Sequence, residues 1–553
     1  MIWWRDVLII GLIVGLSIPL GHYLAAVMTG QKVWLSVVFQ PVEKRIYRFL
    51  GYPDTPDDMT GRQFVVAIVA FSVISLAVVM GVLMTQQWLP FNPNHVHNVP
   101  WDLALNTAMS FVTNTDWQAY SGETAMSYLS QFMVLTTQNF VSAAVGVAGL
   151  LAVIRGFPRK ESATIGNFWV DVTRFTLYVL VPLSVVLTLL IVSQGGVQNF
   201  AANHLVQGTL LPSGPASSQF AISLLGSNGG GFFGANAGAL FHNPTGLSNL
   251  FESVAIVLLP AGLVVMFGQM VGRRQAFVLY AVMLGILVLA IIGTTLSELH
   301  LGQHVAGVAG STAFEGKNVV NGIGLSALWN TLSTAVSNGS VNASLDSFTP
   351  LGGLIPMLLM QLGEIVFGGV GSGLYGMLSF VLLTVFISGL MVGRTPEYLG
   401  KKIAAYDMKM VSLAILLPPV LTLTSTAIAV SWPGIGASLT NTGAHGFSEI
   451  LYGFSSMGNN NGSSFGGFNG NQLMVNVVGA VLMGCTRFVP LIAMVCLGAN
   501  LAKKKQMATS SGTLRTDTGL FAVLLLFIIL LIGALNFVPA LVLGPIADFL
   551  TAR

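Results

Sequence analysis

The chain of 553 residues is 54% hydrophobic and only 8% charged, with a mean hydropathy of +0.77. Soluble domains carry about 25% charged residues, so this composition excludes a soluble enzyme and implies an all-α polytopic membrane protein. Nothing in a net charge of +3 calls for nucleic acid, and the two cysteines, Cys485 and Cys496, share one apolar run in which a helix holds them too far apart to pair.

Ten runs are long enough to cross a bilayer, at about 20 residues or more. They cover residues 7–28, 64–84, 126–154, 169–193, 247–271, 276–296, 353–392, 410–432, 473–501 and 519–542. The first is too long for a signal-peptide core, and only Arg5 precedes it, neutralised by Asp6, so it is expected to be a retained span. The seventh is too long for one helix. Gly368, Gly369, Gly371 and Gly373 interrupt it, which predicts a broken helix with a gate loop. Glu364, just before the break, either holds that loop or caps a half-helix. The basic residues fall almost entirely in the loops after odd-numbered runs, among them Lys44, Arg155, Arg274, Arg394, Lys401 and Lys504. Loops after even-numbered runs hold Lys317 alone. The positive-inside rule then places both termini outside.

Four short stretches look like copies of one another: Thr113-Asn114-Thr115, Ser227-Asn228-Gly229, Ser337-Asn338-Gly339 and Gly458-Asn459-Asn460. Each follows an even-numbered run. Each also follows a helix-like segment of about 12 residues (101–112, 217–226, 325–336, 446–457), too short to span but able to dip into the bilayer. The predicted repeat is helix, pore helix, loop, helix. Its four copies cover 63–160, 161–274, 275–409 and 410–505, around one pore, with 1–62 and 506–553 outside them. One Asn-Gly pair is ordinarily a turn; four in register on one side suit a filter of backbone carbonyls that replaces an alkali cation's water. A ring of neutral carbonyls fits a monovalent ion, because a divalent one would want several carboxylates. Gly229 is expected at positive φ, pointing its carbonyl inward.

Further polar residues surround these loops. Gln118 would help coordinate a hydrated ion, and Asp116 would draw cations to the mouth. Arg487 sits in the middle of the ninth run, where an Arg costs roughly 2.5–3.5 kcal/mol to insert. It is either a charge below the filter or half of a buried ion pair. The eight His show no metal-ligand spacing, so potassium is the only metal expected. There is no Gly-x-x-x-x-Gly-Lys-Ser/Thr loop, no Asp-Lys-Thr-Gly run and no loop large enough for an ATP domain. The chain is therefore expected not to hydrolyse ATP alone, and concentrative uptake would need a partner.

Longer motifs carry a resemblance. Trp101-Asp102-Leu103-Ala104-Leu105-Asn106-Thr107, Ser110-Phe111-Val112-Thr113-Asn114-Thr115, Asn228-Gly229-Gly230-Gly231-Phe232-Phe233, Gly363-Glu364-Ile365-Val366-Phe367-Gly368-Gly369 and Gly393-Arg394-Thr395-Pro396-Glu397-Tyr398 resemble the potassium-binding A subunits of Kdp-type potassium-transporting ATPases of bacteria and archaea. The likeness runs nearly end to end. It implies a fold related to Trk/Ktr potassium transporters, in a prokaryotic plasma membrane. It implies potassium as substrate, bound at Thr113–Thr115, Ser227–Gly229, Ser337–Gly339 and Gly458–Asn460, then passed through an internal tunnel, with no organic cofactor. The implied partners are a P-type ATPase catalytic subunit, a periplasmic C subunit, a small F subunit and membrane lipid. The alternative is a stand-alone potassium channel or ion-coupled transporter of the related fold.

Overall fold

Long apolar stretches in a bilayer must satisfy their own backbone hydrogen bonds, and helices do so within one segment. The computed structural model describes residues 3–301, 314–393, 395–507 and 514–551. Among them are ten helices long and apolar enough to span: Trp3–Met28, Gly61–Trp88, Leu129–Gly156, Phe168–Ser193, Gly246–Met270, Arg273–Leu299, Ser372–Met391, Ala405–Val430, Leu473–Lys503 and Gly519–Thr551. The starts are set locally. Thr60 with Gln63 and Thr245 with Ser248 form reciprocal caps, and Thr518 accepts from the backbone of Phe521.

Burial sorts the spans. The third and fifth are 83% and 78% buried across their apolar windows, against 28% for the first and 33% for the last. The third and fifth spans therefore lie at the centre, and the first and last, like the second and eighth at 28%, lie toward the edge. The first span leans on Gly246–Met270, where Gly21 leaves no room for a side chain against Gly262 and Val265, the close approach that small residues allow in membranes.

Four short helices fill the predicted re-entrant positions: Trp101–Val112, Ala216–Leu225, Gly322–Ala335 and Gly443–Gly458. The seventh run is broken as expected, into Pro350–Gln361 and Ser372–Met391. Between them the backbone turns through positive φ at Gly363, Glu364, Phe367, Gly368 and Gly371.

The loops after odd-numbered spans knit together on one face. Arg155 forks onto Asp171 at 2.6 and 2.7 Å. Arg159 pairs with Asp58 at 2.6 Å, Lys401 donates to the carbonyls of Arg159 and Lys504, and Lys504 pairs with Asp407. Arg394 lies outside the described residues. Lys317, the exception by position, is fully buried and paired with Glu298 at 2.9 Å, so it adds no free charge to its side.

A surface helix and a hairpin are among the elements not anticipated. A helix, Ser36–Phe49, follows the first span; Glu43 ties it to Arg174 (2.8 Å) and Tyr178 (2.7 Å) while Val37, Val38 and Phe49 stay exposed. A small antiparallel hairpin pairs His204–Val206 with Thr209–Leu211 in the loop after the fourth span.

Candidate functional site

Each short helix ends in the same way. The residue two past its last helical position has positive φ: Asn114 at 63°, Ser227 at 52°, Ser337 at 56° and Asn460 at 58°. The next backbone N–H reaches back five residues to a serine carbonyl. The pairs are Thr115 to Ser110 (2.9 Å), Asn228 to Ser223 (2.8 Å), Asn338 to Ser333 (2.9 Å) and Asn461 to Ser456 (2.9 Å). This is the Schellman termination, a left-handed residue followed by a six-to-one hydrogen bond. It makes the four loops equivalent in backbone, not merely in composition.

That equivalence corrects the register expected from sequence. The matching positions are Asn114, Ser227, Ser337 and Asn460, then Thr115, Asn228, Asn338 and Asn461, then Asp116, Gly229, Gly339 and Gly462. Thr113 and Asn459 are helix-capping residues, and Gly458 is the last residue of its helix. The true loop starts one residue later than the Asn ladder suggested in the first copy and two residues later in the fourth. The missed signal was the serine five residues upstream of each second position, which aligns all four copies without a gap.

Side chains close the loops into a ring. Asn114 Nδ2 donates to Ser227 O at 2.7 Å, joining the first loop to the second. Asn338 Nδ2 donates to Ser223 O at 3.0 Å, joining the third loop to the second helix. Ser337 Oγ donates to Asn460 O at 2.8 Å, and Asn460 Nδ2 donates to Thr115 Oγ1 at 2.9 Å. Asn228 Nδ2 and Ser142 Oγ both donate to Asn114 Oδ1 at 2.8 Å. The Asn amides thus tie the ring together from behind the backbone.

The glycines mark where the loops converge. Gly229 does not have positive φ, contrary to expectation; its requirement is space. A Cβ there would lie 2.8 Å from Asn461 O, 2.9 Å from Asn338 O and 2.9 Å from Gly462 Cα. A Cβ on Gly339 would overlap Asn461 O, and one on Gly462 would overlap Thr115 O. Carbonyl oxygens from three loops therefore crowd a common centre that admits no side chain.

The surrounding residues pack tightly on the loops. Asp116 is not an exposed acid at the mouth: it is buried, with positive φ, against Gly230. Asn139 faces it, and with the amide nitrogen turned toward its acceptors donates to Asp116 Oδ2 at 2.7 Å. Gln118 exchanges hydrogen bonds with Gly231, N–H to Oε1 and Nε2 to O, each 3.2 Å, so it fastens the first loop to the second. Glu364 Oε1 accepts from Asn461 Nδ2 at 2.8 Å. The 362–371 stretch therefore sits directly against the loops, with Gly369 against Ser337 and Gly371 pressed onto Gly146. Gly368 and Gly373 pack on each other so closely that neither admits a Cβ.

Beside this stretch and the fourth loop lies a cavity of about 90 Å³, walled by Glu364, Tyr375, Asn459, Asn460, Thr486 and Arg487. Arg487 is buried and pairs with no carboxylate among the described residues; its guanidinium lies near Gly146. Arg487 therefore lines the same cavity wall as Glu364.

The sequence also has relatives. The family model described as potassium-transporting ATPase A subunit matches residues 7–550. A protein of Listeria monocytogenes named potassium-transporting ATPase potassium-binding subunit is 54% identical over 99% of this chain and 98% of its own. One of the same name from Clostridium botulinum is 49% identical over 97% of each chain. One from Clostridium perfringens is 48% identical over 98% of this chain and 97% of its own. End-to-end coverage at this identity leaves no segment unaccounted for: the chain belongs to the potassium-transporting ATPase A subunit family.

Proposed function

We propose that this chain is the potassium-binding and filter-forming subunit of an ATP-driven uptake complex in a prokaryotic plasma membrane. A P-type ATPase chain hydrolyses the ATP, and a C and a small F subunit complete the assembly. The single observation that carries this reading is the closed ring of four equivalently terminated loops, with carbonyls crowded around Gly229, Gly339 and Gly462. The names of the relatives agree with it.

A potassium ion entering from the side opposite the basic loops gives up water in exchange for loop carbonyls at the levels of Thr115, Asn228, Asn338 and Asn461. The amide and hydroxyl bracing holds these oxygens apart at a fixed spacing, so their mutual repulsion is relieved best by a cation of one size. The short helices point their carboxyl ends inward, and their dipoles add to the attraction. Below the ring, the 362–371 stretch bars the straight path, and Arg487 repels a second cation from the cavity. The ion leaves sideways through that cavity toward the ATPase chain.

Purified tag-free chain in liposomes and the assembled complex distinguish the readings. The chain alone should show no ATP hydrolysis, and the complex should show hydrolysis stimulated by potassium. Potassium-stimulated hydrolysis by the chain alone, or large potassium currents without any ATPase chain, overturns the proposal; the latter favours a stand-alone channel.

A further inference from the structure

On the loop side of the molecule, some distance from the ring, three side chains converge that the potassium path does not use. His445 and Glu449 sit one turn apart at the start of the helix Gly443–Gly458, and Asp346 comes from the turn before Pro350–Gln361. One ligand atom from each lies within 4.8 Å of the other two. His445 Nε2 is 3.1 Å from Asp346 Oδ1, and His445 Nδ1 is 2.8 Å from Asp548 Oδ2, on the last helix.

Three observations go beyond a chance cluster of acids. Glu449 is completely buried, and its Oε2 has no hydrogen-bond partner. Its Oε1 is held in place by Asn441 Nδ2 at 2.8 Å and Thr440 Oγ1 at 3.2 Å. Between the carboxylates the chain supplies Gly467, where a Cβ would lie 2.8 Å from Asp346 Oδ2 and overlap Glu449 Oε1. The space that a side chain would fill is left open to two carboxylate oxygens.

We propose that Asp346, His445 and Glu449 form a site for a divalent transition-metal ion of the zinc class. One imidazole nitrogen and two carboxylates suit zinc or cobalt, whereas calcium and magnesium take oxygen ligands alone. Bonds of about 2.1 Å around a tetrahedral ion put ligand atoms about 3.4 Å apart. The Asp346–His445 pair is already near that spacing, and Glu449, whose ligand atom lies within 4.8 Å of both, has its unpartnered Oε2 to complete the set. A water completes the shell. Asp548 accepts from His445 Nδ1–H, fixing the tautomer that offers Nε2 to the metal and orienting the ring. The Nε2 proton of the metal-free protein leaves when the ion binds. The site fastens three separate parts, including the last span, which lies outside the repeats. His445 stands 15 residues before Asn460, about 20 Å along the helix at 1.5 Å per residue. The ion is therefore a clamp on the fourth pore helix and no part of the potassium path.

The sequence concealed this site because Asp346 and Asp548 are about a hundred residues from His445 on either side. The sequence shows only the His445–Glu449 spacing of four, which by itself is an ordinary helical pair.

The test uses full-length chain without a polyhistidine tag, stripped with chelator, then titrated with zinc by calorimetry and with cobalt by visible absorption. We expect one ion per chain, a tetrahedral cobalt spectrum displaced by zinc, and a rise in thermal midpoint on zinc addition. Glu449→Gln and His445→Gln should each weaken zinc binding at least tenfold. Asp548→Asn should weaken it 10–100-fold, the usual effect of removing such an orienting partner. If wild-type protein shows neither a cobalt band nor a zinc-dependent midpoint, the proposal falls without reference to any variant. Unchanged zinc affinity in folded Glu449→Gln protein overturns it equally, and the cluster is then an imidazolium bridging two carboxylates.

Discussion

Gly229 is where a single atom has most effect. No side chain fits between Asn338 O, Asn461 O and Gly462 Cα. Gly229→Asp would push those carbonyls apart and place a charge among neutral oxygens. The apparent potassium affinity of the purified complex should fall tenfold or more, about 1.4 kcal/mol, and rubidium and ammonium should compete better. Potassium-stimulated ATPase activity at varied potassium measures both, and an unaltered affinity in assembled mutant complex would remove the second loop from the site. Asn114 acts from behind. Asn114→Ala strips partners from Ser227 O, Asn228 Nδ2 and Ser142 Oγ, and a buried polar group left unsatisfied costs about 1–3 kcal/mol. The thermal midpoint should drop together with potassium affinity, whereas loss of affinity alone would show that the network is not structural. The four Asn residues were legible in the sequence as a ladder. Their register was not, because the left-handed position is filled by Asn twice and by Ser twice, and backbone geometry rather than residue type defines it.

Elements were easier to find than residues. Spanning helices are fixed by bilayer thickness and short helices by their inability to span, so both sets matched to within a few residues, the broken seventh run included. The helix Ser36–Phe49 was missed because its basic residues were counted as loop anchors. It lies on the surface with Trp34, Val37, Val38 and Phe49 exposed and Glu43 buried, which is the form of an interfacial helix. Burial alone would raise the carboxyl of Glu43, but hydrogen bonds from Tyr178, Arg174 and Tyr47 overcome it and hold the group below its ordinary value. A lowered folded value means that the stabilisation is present above the unfolded value, about 4.3, and is lost as pH falls through the folded one. Solubilised chain should therefore lose thermal stability in acid, and Glu43→Gln should be less stable at neutral pH and lack that part of the acid loss. A Glu43→Gln profile parallel to wild type would remove this anchor. The 362–371 stretch makes a different demand. Gly371 has φ 87° and touches the Gly146 backbone, so Gly371→Ala cannot be seated without moving the barrier. Passive potassium leak from vesicles should rise, and unchanged leak in folded protein would exclude a gate there.

For the whole molecule, the division of charge between faces predicts which side meets which compartment. In a background with Cys485 and Cys496 replaced by Ala, a cysteine placed at Thr209 should react with impermeant maleimide in intact cells. One placed at Arg45 should react only after permeabilisation; the reverse pattern would invert the orientation. The Schellman ends have an effect on the molecule as a whole that no one loop displays. In the first and fourth copies the backbone donors are spent: Thr113, Asn114, Thr115 and Asp116 donate back into their own helix, as do Asn459, Asn460 and Asn461, and in the other two copies Asn228 and Asn338 do the same. What crowds the converging glycines is carbonyl oxygen, from Thr115, Asn338 and Asn461. If the ring holds potassium as we propose, a chloride ion arriving there would meet chiefly acceptors, and the ring would need no fixed negative charge to turn it away. Refusal of anions is thus written into the direction of the peptide bond, where neither acidity nor a change of side chain can easily erase it.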